Sequence, residues 1–374
     1  MTLRATIVGA ALPLALIGGL SATRAEDIKI AVVGPMTGSN ANVGDQVKRG
    51  AELAAKDINA TGGVLGGKIV LSIEDDVCDP KQAVSVANRV VGEQIKLVDG
   101  HVCSGASIPA SAVYADSGVL MMSPATVNSK LTDEAFAKGW TTIMRLYARD
   151  DAQGDLIGSW LAKTYAGKKI AFVHDQSAYG RGLADRVRAR MNADGVKEIL
   201  FEGINPGEKD YAAIIAKLKA AHADVVYYGG YPTEGGLIAR QSADQGYKFQ
   251  LVGTSGFVAP EFWSIAGPAG EGTLFPFPAD PKLFSSAKRV VEEFQATGYA
   301  PEGFTLFSYA AVQALAEGVK RAGKVDAVAI AQALRTGKPV DTIFGPLAFD
   351  AKGDAQGINY EINVWHDGRH MKAP

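Results

Sequence analysis

Two hydroxyl-bearing turns hold the chemistry this chain is equipped for. One reads Gly100-His101-Val102-Cys103-Ser104-Gly105, the other Ser123-Pro124-Ala125-Thr126. Each follows a short apolar run, 95–98 or 119–122, that reads as a buried strand. After the first turn, Ile108, Ala112 and Val113 fall on one helical face. Such turns sit at the carboxyl ends of neighbouring strands, where open α/β sheets bind ligands. A helix start there presents free N–H groups and the positive end of a dipole, and a serine adds a hydroxyl. That set suits a carboxylate. It predicts capture of a small anionic or zwitterionic molecule, with no reaction performed on it.

The motifs that would argue for catalysis fail on inspection. Residues 62–68 match G-x-x-x-x-G-K, but Ile69 stands where a Ser or Thr would hold magnesium, and a strand follows. Gly180-Arg181-Gly182 resembles the opening of a dinucleotide loop, but Asp185 takes the third glycine's place and would repel a pyrophosphate. His366 and His370 are separated by an expected turn at Gly368-Arg369, and His101 and His174 each end a strand, where structural histidines are common. Neither G-x-S-x-G nor H-E-x-x-H occurs. No enzyme activity, cofactor or metal is expected. Asn59-Ala60-Thr61 is a formal glycosylation triplet and by itself weak.

The elements that must position these turns follow from length and pattern. A chain of 374 residues has room for two domains, and 47% hydrophobic with 21% charged residues is ordinary globular composition. A net charge of -2 without Lys/Arg runs excludes a nucleic-acid footprint. Arg4, the apolar stretch 5–20 and the small residues Thr23 and Ala25 read as a secretory signal over residues 1–25, with cleavage before Glu26. No cysteine marks a lipid-attachment site there. The only two cysteines are Cys78 and Cys103, and in an exported chain such a pair reads most simply as a disulfide. A metal pair or a catalytic thiol are the alternatives, and no His or acid at metal spacing accompanies them.

From residue 28 the pattern alternates. Strands are predicted at 28–34, 68–73, 95–98 and 119–122, with helices between, one of them opened by Asp79-Pro80. The rhythm breaks near 144–152 and restarts, with strands at 169–174, 196–201, 225–228 and 249–252. Helices follow at 287–295, 305–322 and 328–334. The tail alternates like two strands, 345–350 and 359–365, joined by a Gly-rich turn. The fold class is α/β: two doubly wound parallel-sheet lobes. Their expected extents are 26–146 plus 278–354, and 147–277 plus 355–374. A hinge of several crossovers would let them close on a ligand.

Several segments together resemble the leucine/isoleucine/valine-binding proteins of ABC transporters. They include EDIKIAVVGPMTG, GAELAAKDINATGGV, DDVCDPKQAVSVANRVV, GHVCSGASIPAS, FVHDQSAYGRGLA, VVYYGGYPTEGG and FGPLAFDAKGD. The resemblance runs from Glu26 nearly to the end. It implies the type I periplasmic binding protein fold, with three crossovers and a closing cleft. It also implies a periplasmic location, a small carboxylate-bearing ligand, permease subunits as partners, contact with the membrane only through that permease, and a monomer. Carried over by position, Ser104 binds the ligand carboxylate beside Cys103, Val102 lines the pocket, and Ala125 offers its carbonyl. The next family position falls at Val127, with Thr126 beside it. Tyr179 and Tyr231 cover the ligand from the second lobe. Two positions depart from the family. Val43 replaces an aromatic, and Ser255 stands where a glutamate pairs with the ligand ammonium, unless Asp150 or Asp151 takes over that task. The implied ligand is a branched-chain-like amino acid. A carboxylate without an α-ammonium is the alternative, and a ligand-sensing partner of a receptor a more remote one.

Overall fold

The computed structural model describes residue 2 and residues 26–374, so the leader expected over 1–25 lies, Thr2 apart, outside the described residues. The chain opens with β1 (Ile28–Gly34), α1 (Ala41–Ala60), β2 (Ile69–Asp75), α2 (Pro80–Gly92), β3 (Leu97–Gly100), α3 (Ser104–Asp116), β4 (Leu120–Ser123), α4 (Lys130–Ala137) and β5 (Ile143–Arg145). Their sheet runs β2-β1-β3-β4-β5 and is parallel throughout. β3 and β4 are buried at every position, as strands covered on both faces must be. α2 starts as the sequence predicts: the Asp79 carboxylate accepts from the N–H groups of Lys81 and Gln82 at 2.9 and 2.8 Å.

Strand register decides where the ligand turns lie. Val33 pairs with Gly100, and Asp99 with Met122. The carboxyl ends of β1, β3 and β4 therefore finish level, and the loops after Gly34, Gly100 and Ser123 share one edge.

The second half contains α5 (Asp150–Thr164), β6 (Ile170–His174), α6 (Gly180–Ala193), β7 (Leu200–Gly203), α7 (Ala212–Ala220), β8 (Val225–Gly229), α8 (Pro232–Asp244), β9 (Gln250–Val252), α9 (Pro260–Ala266) and β10 (Leu274–Pro278). Helices α10 (Lys288–Ala296), α11 (Thr305–Ala322) and α12 (Ala327–Thr336) follow, and α11 returns to pack on α1 and the first sheet. The chain ends with β11 (Val340–Thr342), β12 (Gly345–Leu347), β13 (Tyr360–His366) and β14 (Arg369–Lys372). The second sheet runs β14-β13-β10-β9-β8-β6-β7, parallel from β10 to β7 and antiparallel at its β13–β14 edge. The chain thus crosses between the lobes after β5, after β10 and before β13. Among the described residues, no helix is long and apolar enough to cross a membrane.

The two tail strands lie in different sheets: β12 pairs with β11, and β13 joins β10 in the second sheet. Pattern alone marks strands but not partners. β10 itself went unread because Pro276 and Pro278 sit in it, and proline weakens a strand prediction. Gly180 serves close packing. A Cβ there would lie 2.3 Å from both Asp175 Oδ1 and the Gly229 carbonyl oxygen.

The first sheet buries a carboxyl. Asp99 on β3 is fully buried, with Oδ2 2.5 Å from Ser308 Oγ and Oδ1 unpartnered. Ser308 Oγ also lies 2.7 Å from the Val47 carbonyl oxygen. A hydroxyl has one proton. If Ser308 donates to Val47, Asp99 must be the donor to Ser308 and hence neutral. Burial pushes its carboxyl well above the ordinary range. An unfolded Asp99 ionises near pH of about 4. The stability lost at this site is therefore absent below that value and grows as pH rises toward the folded-state value. Asp99→Asn is expected to stabilise by about 1–3 kcal/mol near neutral pH. The gain should fade on acidification, as urea titrations across pH would show.

Candidate functional site

The level strand ends of the first sheet face the second lobe across a small, narrow cavity. Seven of the eight expected residues line it. Val102, Cys103, Ser104 and Ala125 do so from the first lobe, and Tyr179, Tyr231 and Ser255 from the second. α3 begins at Ser104, so the Ser104 and Gly105 N–H groups have no backbone acceptor among the described residues at this edge. The Ser104 hydroxyl lies among them and accepts only a long 3.4 Å bond, from Asn128 N–H. Cys103 is bonded to Cys78, which ties the α3 start to the loop after β2.

Thr126 is the exception. It is fully buried, and its Oγ1 lies 3.2 and 3.1 Å from the His101 and Val102 carbonyl oxygens and 2.5 Å from Ser107 Oγ. These partners hold the hydroxyl inside the lobe, and Val127 lines the cavity in its place. The turn itself is held by Arg145, whose Nη1 donates to the Thr126, Val127 and Asn128 carbonyls at 3.3, 2.8 and 2.9 Å. The Ala125 carbonyl is left without a donor among the described residues.

The second-lobe wall is a small hydroxyl cluster. Gln153 Nε2 donates to Ser255 Oγ at 3.2 Å, and Tyr179 Oη lies 3.4 Å from the same atom. Tyr179 Oη also accepts from Gly256 N–H at 3.1 Å. The Tyr179 and Tyr231 rings pack with centroids 5.0 Å apart. Burial raises both phenols above their ordinary value, so both stay neutral. Among the described residues, no charged side chain lines the cavity. Neither candidate acid supplies one. Asp150 accepts from Ser129 N–H at 3.0 Å and pairs with Arg186 at 3.1 Å, while Asp151 pairs with Arg149 at 2.8 Å.

The lobes touch on both flanks of this cavity. Asn128 Nδ2 donates to the Ala178 carbonyl at 2.8 Å, Arg186 reaches Ser129 as well as Asp150, and Asn42 bonds Glu261 on the far flank. The two strand-end histidines are structural. His101 is buried between Asp76 Oδ2 at 2.6 Å and the Tyr114 hydroxyl at 3.1 Å, and His174 Nδ1 accepts from Gln176 N–H.

Four lining residues escaped sequence reasoning: Pro232 and Gly256, each next in sequence to an expected residue, Asn40, which follows β1, and Phe304, which precedes α11. The rule that loops after strand ends bind ligands covers Asn40. Phe304 lies too far along the chain for any local signal.

A sequence profile of the family described as periplasmic binding protein matches residues 27–360. A Leu/Ile/Val-binding protein homolog 1 of Brucella melitensis is 45% identical over 346 residues, 92% of each chain. An amino acid binding protein of Pseudomonas aeruginosa is 42% identical over 97% of each. Among solved structures, the leucine-binding protein LivK of Thermotoga maritima is similar with a TM-score of 0.85 at 26% identity, covering 93% of this chain and 98% of that one. LivJ of Streptococcus pneumoniae, a branched-chain amino acid transporter substrate-binding protein solved in complex with isoleucine, gives 0.81 at 25% over 93% and 100%. Likeness of this extent takes in both lobes and the cleft between them, and the chain belongs to the periplasmic binding protein family.

Proposed function

We propose that this protein holds a small amino acid of branched-chain size between its lobes and delivers it to the permease of an ABC importer. One observation carries the reading. The cavity joins a helix start and a free hydroxyl at Ser104 to an otherwise uncharged wall. A zwitterion has no net charge to bury, and its carboxylate finds the α3 dipole and N–H groups. The Ala125 carbonyl is the open acceptor for its ammonium. The names of the relatives and the isoleucine in the LivJ complex agree with such a ligand. In this reading the lobes comprise 26–146 with 278–354 and 147–277 with 355–374, and they close by bending at the three crossovers. Closure dehydrates the ligand and presents both lobes to the permease together. The mature chain starts at Glu26, works in the periplasm as a monomer, performs no chemistry, and meets the membrane only through that permease.

A second reading has its own support. Among the described residues no carboxylate lines the cavity, and the Ser255 hydroxyl is already shared with Gln153 and Tyr179. A keto or aromatic acid needs no partner for an ammonium. Thermal shift with leucine, threonine and the keto analogue of leucine separates the two. The first reading expects a large shift with an amino acid and none with the keto acid, and the reverse sinks it. In either case Ser104→Ala is expected to weaken binding by about 1.5–3 kcal/mol, the range for a hydrogen bond to a charged group, or about 10–150-fold in Kd. Unchanged affinity by calorimetric titration would remove Ser104 from the site.

A further inference from the structure

Asn40 occupies the N-cap of α1, where an asparagine side chain ordinarily accepts from the helix's first N–H groups. Here it caps nothing. The residue is 8% exposed, it lines the cavity, and its Oδ1 has no hydrogen-bond partner among the described residues. Its neighbours along this wall, Val43, Val102 and Phe304, are apolar and buried. A dehydrated amide oxygen among hydrocarbon costs free energy unless something pairs with it. None of the site's other polar groups bonds to it: Ser104 opens α3, and Ser255 and Tyr179 bond each other in the second lobe.

We infer that Asn40 determines specificity: the ligand's side chain carries a hydroxyl or carboxamide that donates to Asn40 Oδ1. An aliphatic side chain of the same shape would seal the amide from water and leave it unpaired. A site with a committed hydrogen-bonding group discriminates strongly against the isostere that lacks the partner. Val43 and Phe304 then pack on the rest of the side chain. The preferred ligand is a small, uncharged, polar amino acid. This inference rests on the amino-acid reading above.

The test uses purified mature protein and two isosteric pairs, threonine with valine and asparagine with leucine, titrated calorimetrically against wild type and Asn40→Val. The keto analogue of leucine is added as a fifth ligand. Wild type is expected to bind at least one polar member at least about tenfold more tightly than its aliphatic isostere. Asn40→Val is expected to reverse that preference. Because the side chain caps nothing, its unfolding temperature without ligand should match wild type. If the variant fails to fold, the wild-type ratios decide alone. Tighter binding of both aliphatic members by wild type overturns the inference and leaves the amino-acid function standing, as does a preference that survives Asn40→Val. Binding of the keto acid with none of the four amino acids overturns the function itself and the inference with it, as does silence from all five.

Discussion

Arg145→Met is expected to cost about 3–5 kcal/mol of stability, the range for breaking one partner out of a buried ion pair. Arg145 is fully buried at the end of β5. Its Nε and Nη2 donate to Asp354 Oδ1 at 2.8 and 2.6 Å, and Nη2 also reaches Thr132 Oγ1 at 2.7 Å. The remaining nitrogen serves the three carbonyls of the Thr126–Val127–Asn128 turn. Methionine fills most of the volume and supplies no donor. Asp354 would keep Arg149 at 2.7 Å and Thr132 at 3.0 Å, so its charge is stranded only in part. The three carbonyls keep nothing from this side. Urea unfolding should show a lower midpoint with an unchanged slope. Adding Asp354→Leu to Arg145→Met should recover part of the loss, because the unpaired carboxylate goes with its partner. The carbonyls stay unsatisfied in the double variant, so recovery should be incomplete. Ligand affinity should fall in both, since Ala125 and Val127 belong to the turn that Arg145 templates. A cost below about 1 kcal/mol would mean that Asp354 and the turn find other partners without rearrangement.

The same residue shows what a sequence reading reaches. The elements that carry Ser104, Ala125 and the two tyrosines were legible, because buried parallel strands are plain apolar runs and their ends mark ligand turns. Ile28–Gly34 and Thr305–Ala322 match their expected bounds. Level strand ends come from hydrogen-bond register, which no run of residues displays. Thr126 and Val127 could not be told apart for that reason. The choice depends on which side chain His101, Val102 and Ser107 draw inward. Arg145 sits where the α/β rhythm breaks, and its partner Asp354 lies far along the chain. Asn40 carries no local signal of a ligand contact, and only the structure shows a buried amide whose side chain caps nothing. Pairing of β13 with β10 was equally invisible, because edge strands announce their composition and not their neighbour.

Removing the Cys78–Cys103 bridge is expected to cost about 3 kcal/mol in stability, the chain-entropy value for a loop of this length. The bridge closes a sequence separation of 25 residues that includes all of α2 and β3. Its effect should not stop at the unfolded state. Cys103 lines the cavity and is the N-cap of α3, and its carbonyl accepts from the Ala106 and Ser107 N–H groups. Freed from Cys78, that turn gains motion next to the ligand carboxylate, and binding must then order it. The double variant Cys78→Ser, Cys103→Ser should therefore bind more weakly than wild type. Linkage ties the two measurements together. If affinity falls by a given factor, then at saturating ligand the stability gap between variant and wild type must widen by that same factor expressed as free energy. Denaturant titrations with and without ligand read the gap directly, and calorimetry reads the affinity. A stability loss that is identical with and without ligand would make the bridge a staple on the chain alone, with the α3 start held in place by the packing of Ala106, Ala110 and Tyr114 in the first-lobe core.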